Sequence, residues 1–263
     1  VDSILVLAKC MNGLHKYSDA EKIASKALSV STFIHGEYHP LNSDIYYVMA
    51  EGKRNHGYFT EANQKNQIGM SICTSSYTPR SPHFSQSMYM RAQLACDIGN
   101  YDEANILFEQ ALNDVKESLG DQSYQYAEIL SSYGSCQLLC GKNDIAANYI
   151  KRAMTIVQNV YGSNSVANAE LMRSYALIQI KSGDSTSIGQ AYAVLKEAVV
   201  PLQQQLLGDT HPSTLFSCAL QGLSARMLET PRDDPTDMDE DSQAYQNAID
   251  DALDIFDKVV GLS

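Results

Sequence analysis

Residues 99–120 read GNYDEANILFEQALNDVKESLG. Gly99 opens a turn, and the residues after Tyr101 form an amphipathic helix. Its small residues Ala104 and Ala111 and apolar residues Ile106, Leu107, Phe108, Leu112 and Val115 recur at helical spacing. Gly120 closes it. Displaced by 42 residues in either direction the same pattern returns, so the chain reads as a repeat array.

Three series of small residues share one register. Ala8, Ala50, Ala92, Gly134 and Ala176 are spaced 42 apart, with Gly222 following 46 later. Ala20, Ala62, Ala104 and Ala146 repeat the spacing, then Ala191 follows after 45. The third series is Ala27, Gly69, Ala111, Ala153, then Ala198 and Ala252. Small side chains at fixed spacing let paired helices, and successive pairs, approach closely.

Between the first and second series lies a short turn: His15 to Tyr17, Gly57 to Phe59, Gly99 to Tyr101 and Gly141 to Asn143. A second punctuation separates the units, at Gly36-Glu-Tyr-His-Pro40, Thr78-Pro-Arg-Ser-Pro82, Gly120-Asp-Gln-Ser-Tyr124, Gly162-Ser-Asn-Ser-Val166 and Gly208-Asp-Thr-His-Pro212. Glycine stops one helix and proline starts the next. His39 and His211 belong to this punctuation, which points to a turn-stabilising role. The predicted fold is all-α, a right-handed α-solenoid of about six helix-turn-helix units. The units run 1–39, 40–81, 82–123, 124–165, 166–211 and 212–263, within a single array spanning 1–263.

The units resemble tetratricopeptide repeats, and the 42-residue period with G-x-x-H-P between units resembles the long-helix form found in kinesin light chains. The resemblance implies a non-enzymatic protein-interaction scaffold of cargo or adaptor type, whose first helices line a concave groove. It does not extend to the L-N-N-L-A run of kinesin light chain first helices. The corresponding runs here are Tyr46-Tyr-Val-Met-Ala50, Met88-Tyr-Met-Arg-Ala92, Leu130-Ser-Ser-Tyr-Gly134 and Met172-Arg-Ser-Tyr-Ala176, without the asparagine pair. The resemblance therefore supports the scaffold, while the asparagine pair that resembles a clamp for cargo peptide backbones is missing from these runs.

The regularity decays toward the C-terminus. Extra residues are expected in the turn of the fifth unit, around Gly183 to Gly189, and Pro201 inside its second helix predicts a kink or a break. The sixth unit carries an acidic insertion at 229–243, after which Tyr245 to Val260 resumes the second-helix pattern. Asp237, Asp239 and Asp241 alternate as in a calcium loop. The glycine such a loop needs is missing, and Ala248 stands where its bidentate glutamate belongs.

A formal net charge of −12 argues against nucleic-acid partners, and no apolar run has the length of a membrane span. The six cysteines form no CxxC pair with a matching His or Cys partner, which points to reduced thiols in a cytoplasmic helical core. No phosphate-binding loop, HExxH or GxSxG is present, so neither catalysis nor a cofactor or metal is expected. The chain begins mid-pattern without Met, and a longer protein is expected.

Slots on the first helices are the candidate binding face. Tyr47, Glu51, Arg54, Tyr89, Gln93 and Arg173 supply aromatic platforms with hydrogen-bonding and cationic groups, suited to a protein or peptide ligand with acidic residues. The plainer reading of the same residues is packing within the array. Arg91 stands apart, in a slot that neighbouring units fill with Leu7, Met49 and Tyr133. The alternatives to a groove-binding adaptor are a structural subunit of a ciliary or microtubule-associated complex and the helical accessory region of a larger enzyme.

Overall fold

The computed structural model describes residues 1–76 and 82–229. The acidic insertion, the Tyr245 to Val260 segment and most of the Thr78 to Pro82 turn lie outside the described residues. Every regular element among the described residues is helical: α1 (Asp2–Gly13), α2 (Tyr17–His35), α3 (Pro40–Asn55), α4 (Phe59–Ser76), α5 (Pro82–Asp97), α6 (Tyr101–Leu119), α7 (Tyr124–Leu139), α8 (Asn143–Tyr161), α9 (Val166–Ser182), α10 (Ser185–Val194), a π-helical turn (Leu195–Val199), α11 (Val200–Leu207) and α12 (Pro212–Glu229). The all-α fold is of the helical-solenoid class. The chain divides into two compact units, Val1–Cys136 and Gln137–Ser263, with the boundary inside α7.

In the first unit α1 packs on α2, α3 on α4 and α5 on α6, and the first helices also pack side by side, α1 on α3 and α3 on α5. The small-residue series explain how. Ala8, Ala50, Ala92, Ala62, Ala104, Ala27 and Ala111 are all fully buried, so the helices meet almost backbone to backbone. Gly69 marks a close approach: a Cβ there would lie 3.2 Å from both the Ser43 carbonyl oxygen and the Tyr46 Cβ. On α6 the buried stripe is Ala104, Leu107, Phe108, Ala111, Leu112 and Val115. Ile106, grouped with these by composition, is 67% exposed. At about 100° per residue it lies on the opposite side of the helix from Ala104. Phe108 stacks on Tyr133 with ring centroids 5.0 Å apart. Arg91 avoids burial by reaching the half-exposed Glu103 at 3.3 Å.

Two of the predicted turn histidines cap helices through the ring. His39 Nδ1 accepts from the Leu41 backbone N–H at 3.3 Å, and His211 Nδ1 from that of Ser213 at 3.2 Å. Each satisfies one of the donors that a helix start leaves open.

The second unit has its own core, formed by Ala176, Ile180, Ile188, Ala191, Leu195, Val199, Phe216, Leu220 and Met227. Here the fifth repeat departs from the expected layout. Its turn is short, because α10 already starts at Ser185, capped by the Asp184 carboxylate accepting from the Ser187 N–H at 2.8 Å. The extra residues lie in the helix instead. Pro201 has no N–H and its ring crowds the carbonyl four residues earlier, and the chain accommodates both by one π-helical turn at Leu195–Val199. The Val200 N–H then reaches back to the Leu195 carbonyl. One extra residue in the turn advances the register by one: Val199 is fully buried, whereas Ala198, expected to continue the third series, is half-buried.

Candidate functional site

The first helices of four successive repeats border one cavity in the first unit. Its volume is about 470 Å³, and its lining comes from Lys9, Asn12 and Gly13 of α1, His15 in the following turn, Tyr47, Glu51 and Asn55 of α3, Gln86 of α5, and Tyr124 and Glu128 of α7. The spacing is helical on each element. Tyr47, Glu51 and Asn55 lie four apart, as do Tyr124 and Glu128, so one face of each helix contributes. The volume is in the range of cavities that hold a small molecule or a large side chain.

Asn12 organises one wall. Its side chain is 4% exposed, and its Nδ2 donates to the Val48 carbonyl and to Glu51 Oε2, each at 3.0 Å. Its Oδ1 is buried without a hydrogen-bond partner. Gly52 leaves room for this arrangement, since a Cβ there would stand 2.9 Å from Asn12 Oδ1.

The electrostatics are those of a crowded acidic wall. Burial pushes the Glu51 carboxyl up, against the Asn12 hydrogen bond and the positive charges of Lys9 and Arg54. Glu128 is pushed up to about 7, first by desolvation and then by the Glu51 charge, with Lys9 pulling the other way. The Glu128 side chain nevertheless has water access. It is hemmed in by a concave wall and not sealed off, so the energy attached to the shift is smaller than for a sealed carboxyl. Among the described residues Glu128 has neither a hydrogen-bond nor an ion-pair partner. Burial also holds the Tyr47 hydroxyl well above its ordinary value, helped by Glu51 and Glu128.

The residues singled out in the sequence are placed as follows. Tyr47 and Glu51 line the cavity. Tyr89 and Gln93 form a hydrogen-bonded cluster: the Tyr89 hydroxyl lies 2.6 Å from Ser132 Oγ, and Gln93 Nε2 donates to the Tyr89 oxygen at 2.8 Å. Tyr47 and Tyr89 are only 8% and 5% exposed, so little of either ring faces water. Arg54 is held by Asp97 through two bonds, Nε at 2.6 Å and Nη2 at 3.1 Å. Arg173, in the second unit, pairs with Glu170 and lies over the Phe216 ring at 4.8 Å from its centroid. Both arginines therefore have partners within the chain.

Glu128 and Gln86 were not singled out. A signal for Glu128 exists in the sequence, since Asp2, Asp44, Gln86, Glu128 and Glu170 are spaced 42 apart, one helical turn before the tyrosine slot.

Among the described residues no group of three or more His, Cys, Asp or Glu is arranged to hold a metal ion, and no helix is long and apolar enough to cross a membrane. The cysteines are free thiols, with Cys73, Cys96 and Cys136 buried.

A family profile described as tetratricopeptide repeat matches residues 83–156. No curated protein matches the chain. Among solved structures it is similar to BtubC (BKLC) from P. vanneervenii, with 16% identity and a TM-score of 0.62 over 91% of this chain and 89% of that one. It is also similar to a putative kinesin light chain with nearly identical TPR-like repeats from Podosopora anserina, at 17% identity and a TM-score of 0.56 over 84% and 97% of the two chains. A third likeness is to Rap protein complexed with Competence and Sporulation Factor, at 15% identity and a TM-score of 0.72 over 98% of this chain and 68% of that one. At these identities the likeness concerns the fold: the chain folds as an array of helical hairpins like these structures, and residues 83–156 match the tetratricopeptide-repeat profile. The family matched is a repeat family and not an enzyme family.

Proposed function

We propose that the chain is a non-catalytic cytoplasmic adaptor that binds a segment of a partner protein in the groove between α1, α3, α5 and α7. The observation that carries this reading is the cavity of about 470 Å³ bordered by the first helices of four successive repeats. Rigid helices hold its lining residues before any ligand arrives, which lowers the ordering cost of binding. A similar fold complexed with Competence and Sporulation Factor supports the reading by analogy of fold. The acidic ligand expected from Arg54 and Arg173 has less support, because Asp97 and Glu170 already pair with them.

The test is selection of linear peptides from a phage-displayed library on the purified chain, followed by titration of synthetic copies. Binding is expected to disappear when the cavity is filled by Asn55→Trp, with helical circular dichroism unchanged. Failure to enrich any peptide, or peptides that bind the filled variant equally well, overturns the proposal.

A second reading, a structural subunit of a larger assembly such as a cytoskeletal or ciliary one, is favoured by the exposed end of α2. Phe33, Ile34 and the following Tyr38 are 90%, 60% and 73% exposed. Under it, Phe33→Ser with Ile34→Ser releases the chain from its native complex, and Asn55→Trp does not.

A further inference from the structure

The cavity's charge identifies a chemistry for its occupant. We infer that the cavity bordered by Glu51 and Glu128 receives a basic side chain, lysine or arginine, presented by the partner segment. The inference rests on the groove-binding reading above and specifies the ligand of the same site.

Four observations carry it. The first is the cavity itself, whose lining includes two carboxylates against a single lysine. Lys9 acts on both carboxylates at longer range, with an exposed side chain and no ion pair among the described residues. The second is the state of Glu128. Besides the exposed Asp2, which has no partner among the described residues and does not line the cavity, Asp44, Gln86 and Glu170 occupy its slot in other repeats, and each of these three has a partner within the chain. Asp44 meets His83 at 2.6 Å, Gln86 bonds the Tyr47 hydroxyl, and Glu170 pairs with Arg173 and accepts from Gln203 at 3.0 Å. Glu128 alone of these four, among the described residues, meets no such group. A carboxylate whose desolvation goes uncompensated costs stability unless something outside the chain supplies the counter-charge.

The third is preorganisation. Asn12 Nδ2 fixes the Glu51 carboxylate at 3.0 Å. An ammonium or guanidinium group is all donor, and matches a wall made of acceptors. The fourth is size and lining. About 470 Å³ holds a long side chain with adjoining backbone, and Tyr47 and Tyr124 supply aromatic surface for its methylene stem or its charge.

The peptides selected on the chain provide the test. For those whose binding Asn55→Trp abolishes, one lysine or arginine is replaced at a time by norleucine, which keeps an apolar four-carbon stem and removes the charge. The inference expects one position at which norleucine weakens binding roughly tenfold or more. It also expects Glu128→Gln and Glu51→Gln to weaken the unmodified peptide about tenfold each while leaving the norleucine peptide unaffected. Glu37→Gln, on the turn before α3, serves as the control and leaves both affinities unchanged. Groove-dependent peptides that lack a basic residue, that tolerate norleucine throughout, or that bind both glutamine variants at full strength overturn the inference and leave the groove reading standing. Absence of any groove-dependent peptide overturns both.

Discussion

Neutralising Glu128 is expected to stabilise the chain at neutral and alkaline pH, and the size of the effect follows from the geometry. The unfolded carboxyl titrates near its ordinary 4.5, and the folded one is pushed up to about 7 by desolvation and by Glu51. Between those values the folded chain binds more protons than the unfolded chain. Stability therefore falls as pH rises from about 4.5 to about 7, and the loss is complete above that window. A shift of this size corresponds to about 3 kcal/mol for a sealed site. Because water reaches the Glu128 side chain, screening reduces the expected figure to about 1 kcal/mol. Glu128→Gln keeps the shape and removes the charge. Urea unfolding followed by far-ultraviolet circular dichroism should show the variant more stable than the parent by about 1 kcal/mol at pH 8, with the difference gone by pH 4.5. A variant no more stable than the parent at pH 8 would refute the crowded-carboxylate reasoning. So would an advantage that persists at pH 4.5, where both side chains are neutral.

Asn12→Ala removes both Nδ2 hydrogen bonds and leaves Glu51 without its donor, so a loss of about 2 kcal/mol in urea unfolding is expected, with Glu51 titrating still higher by NMR. Ala92→Leu places a large side chain at a fully buried point of the ladder and should cost about 1–3 kcal/mol by overpacking, visible as a lowered urea midpoint. The π-helical turn is tested by a pair of substitutions: Val199→Ala should cost about 2 kcal/mol, and Ala198→Ser well under 1 kcal/mol. A regular α-helix through Pro201 would reverse that order, because Ala198 and not Val199 would then face the core.

The repeat fold was legible because its determinants are local and periodic. Ala8, Ala50 and Ala92 are fully buried at one spacing, and nothing larger fits where helix backbones meet. The fifth repeat was less legible. Extra residues are visible in the sequence, but whether a chain loops them out or winds them into a helix depends on where Pro201 falls relative to carbonyls upstream. The π-helical turn resolves that locally, and the core then selects Val199. At the site, Tyr47 and Glu51 stood out as groove-facing types at helical spacing. The partners of Arg54 and Arg173 were not legible as partners. Asp97 lies 43 residues from Arg54, and only the packing of α3 on α5 brings the two together.

A repeat array hides its function in the same property that reveals its fold. The backbone presents equivalent slots from one repeat to the next, so a residue type that recurs in a slot conveys little about ligand binding. What differs between copies is whether each side chain finds its counterpart inside the protein. Asp44 and Glu170 have counterparts, and the charge they carry is spent on holding helices together. Glu128 occupies the same slot without one and borders a cavity, so its charge is available to a molecule that is not part of the chain. The stability gained by neutralising it and the affinity lost by the same substitution are then two measurements of one uncompensated charge. Both are expected to vanish together below pH 4.5, where the carboxyl is protonated with or without its ligand.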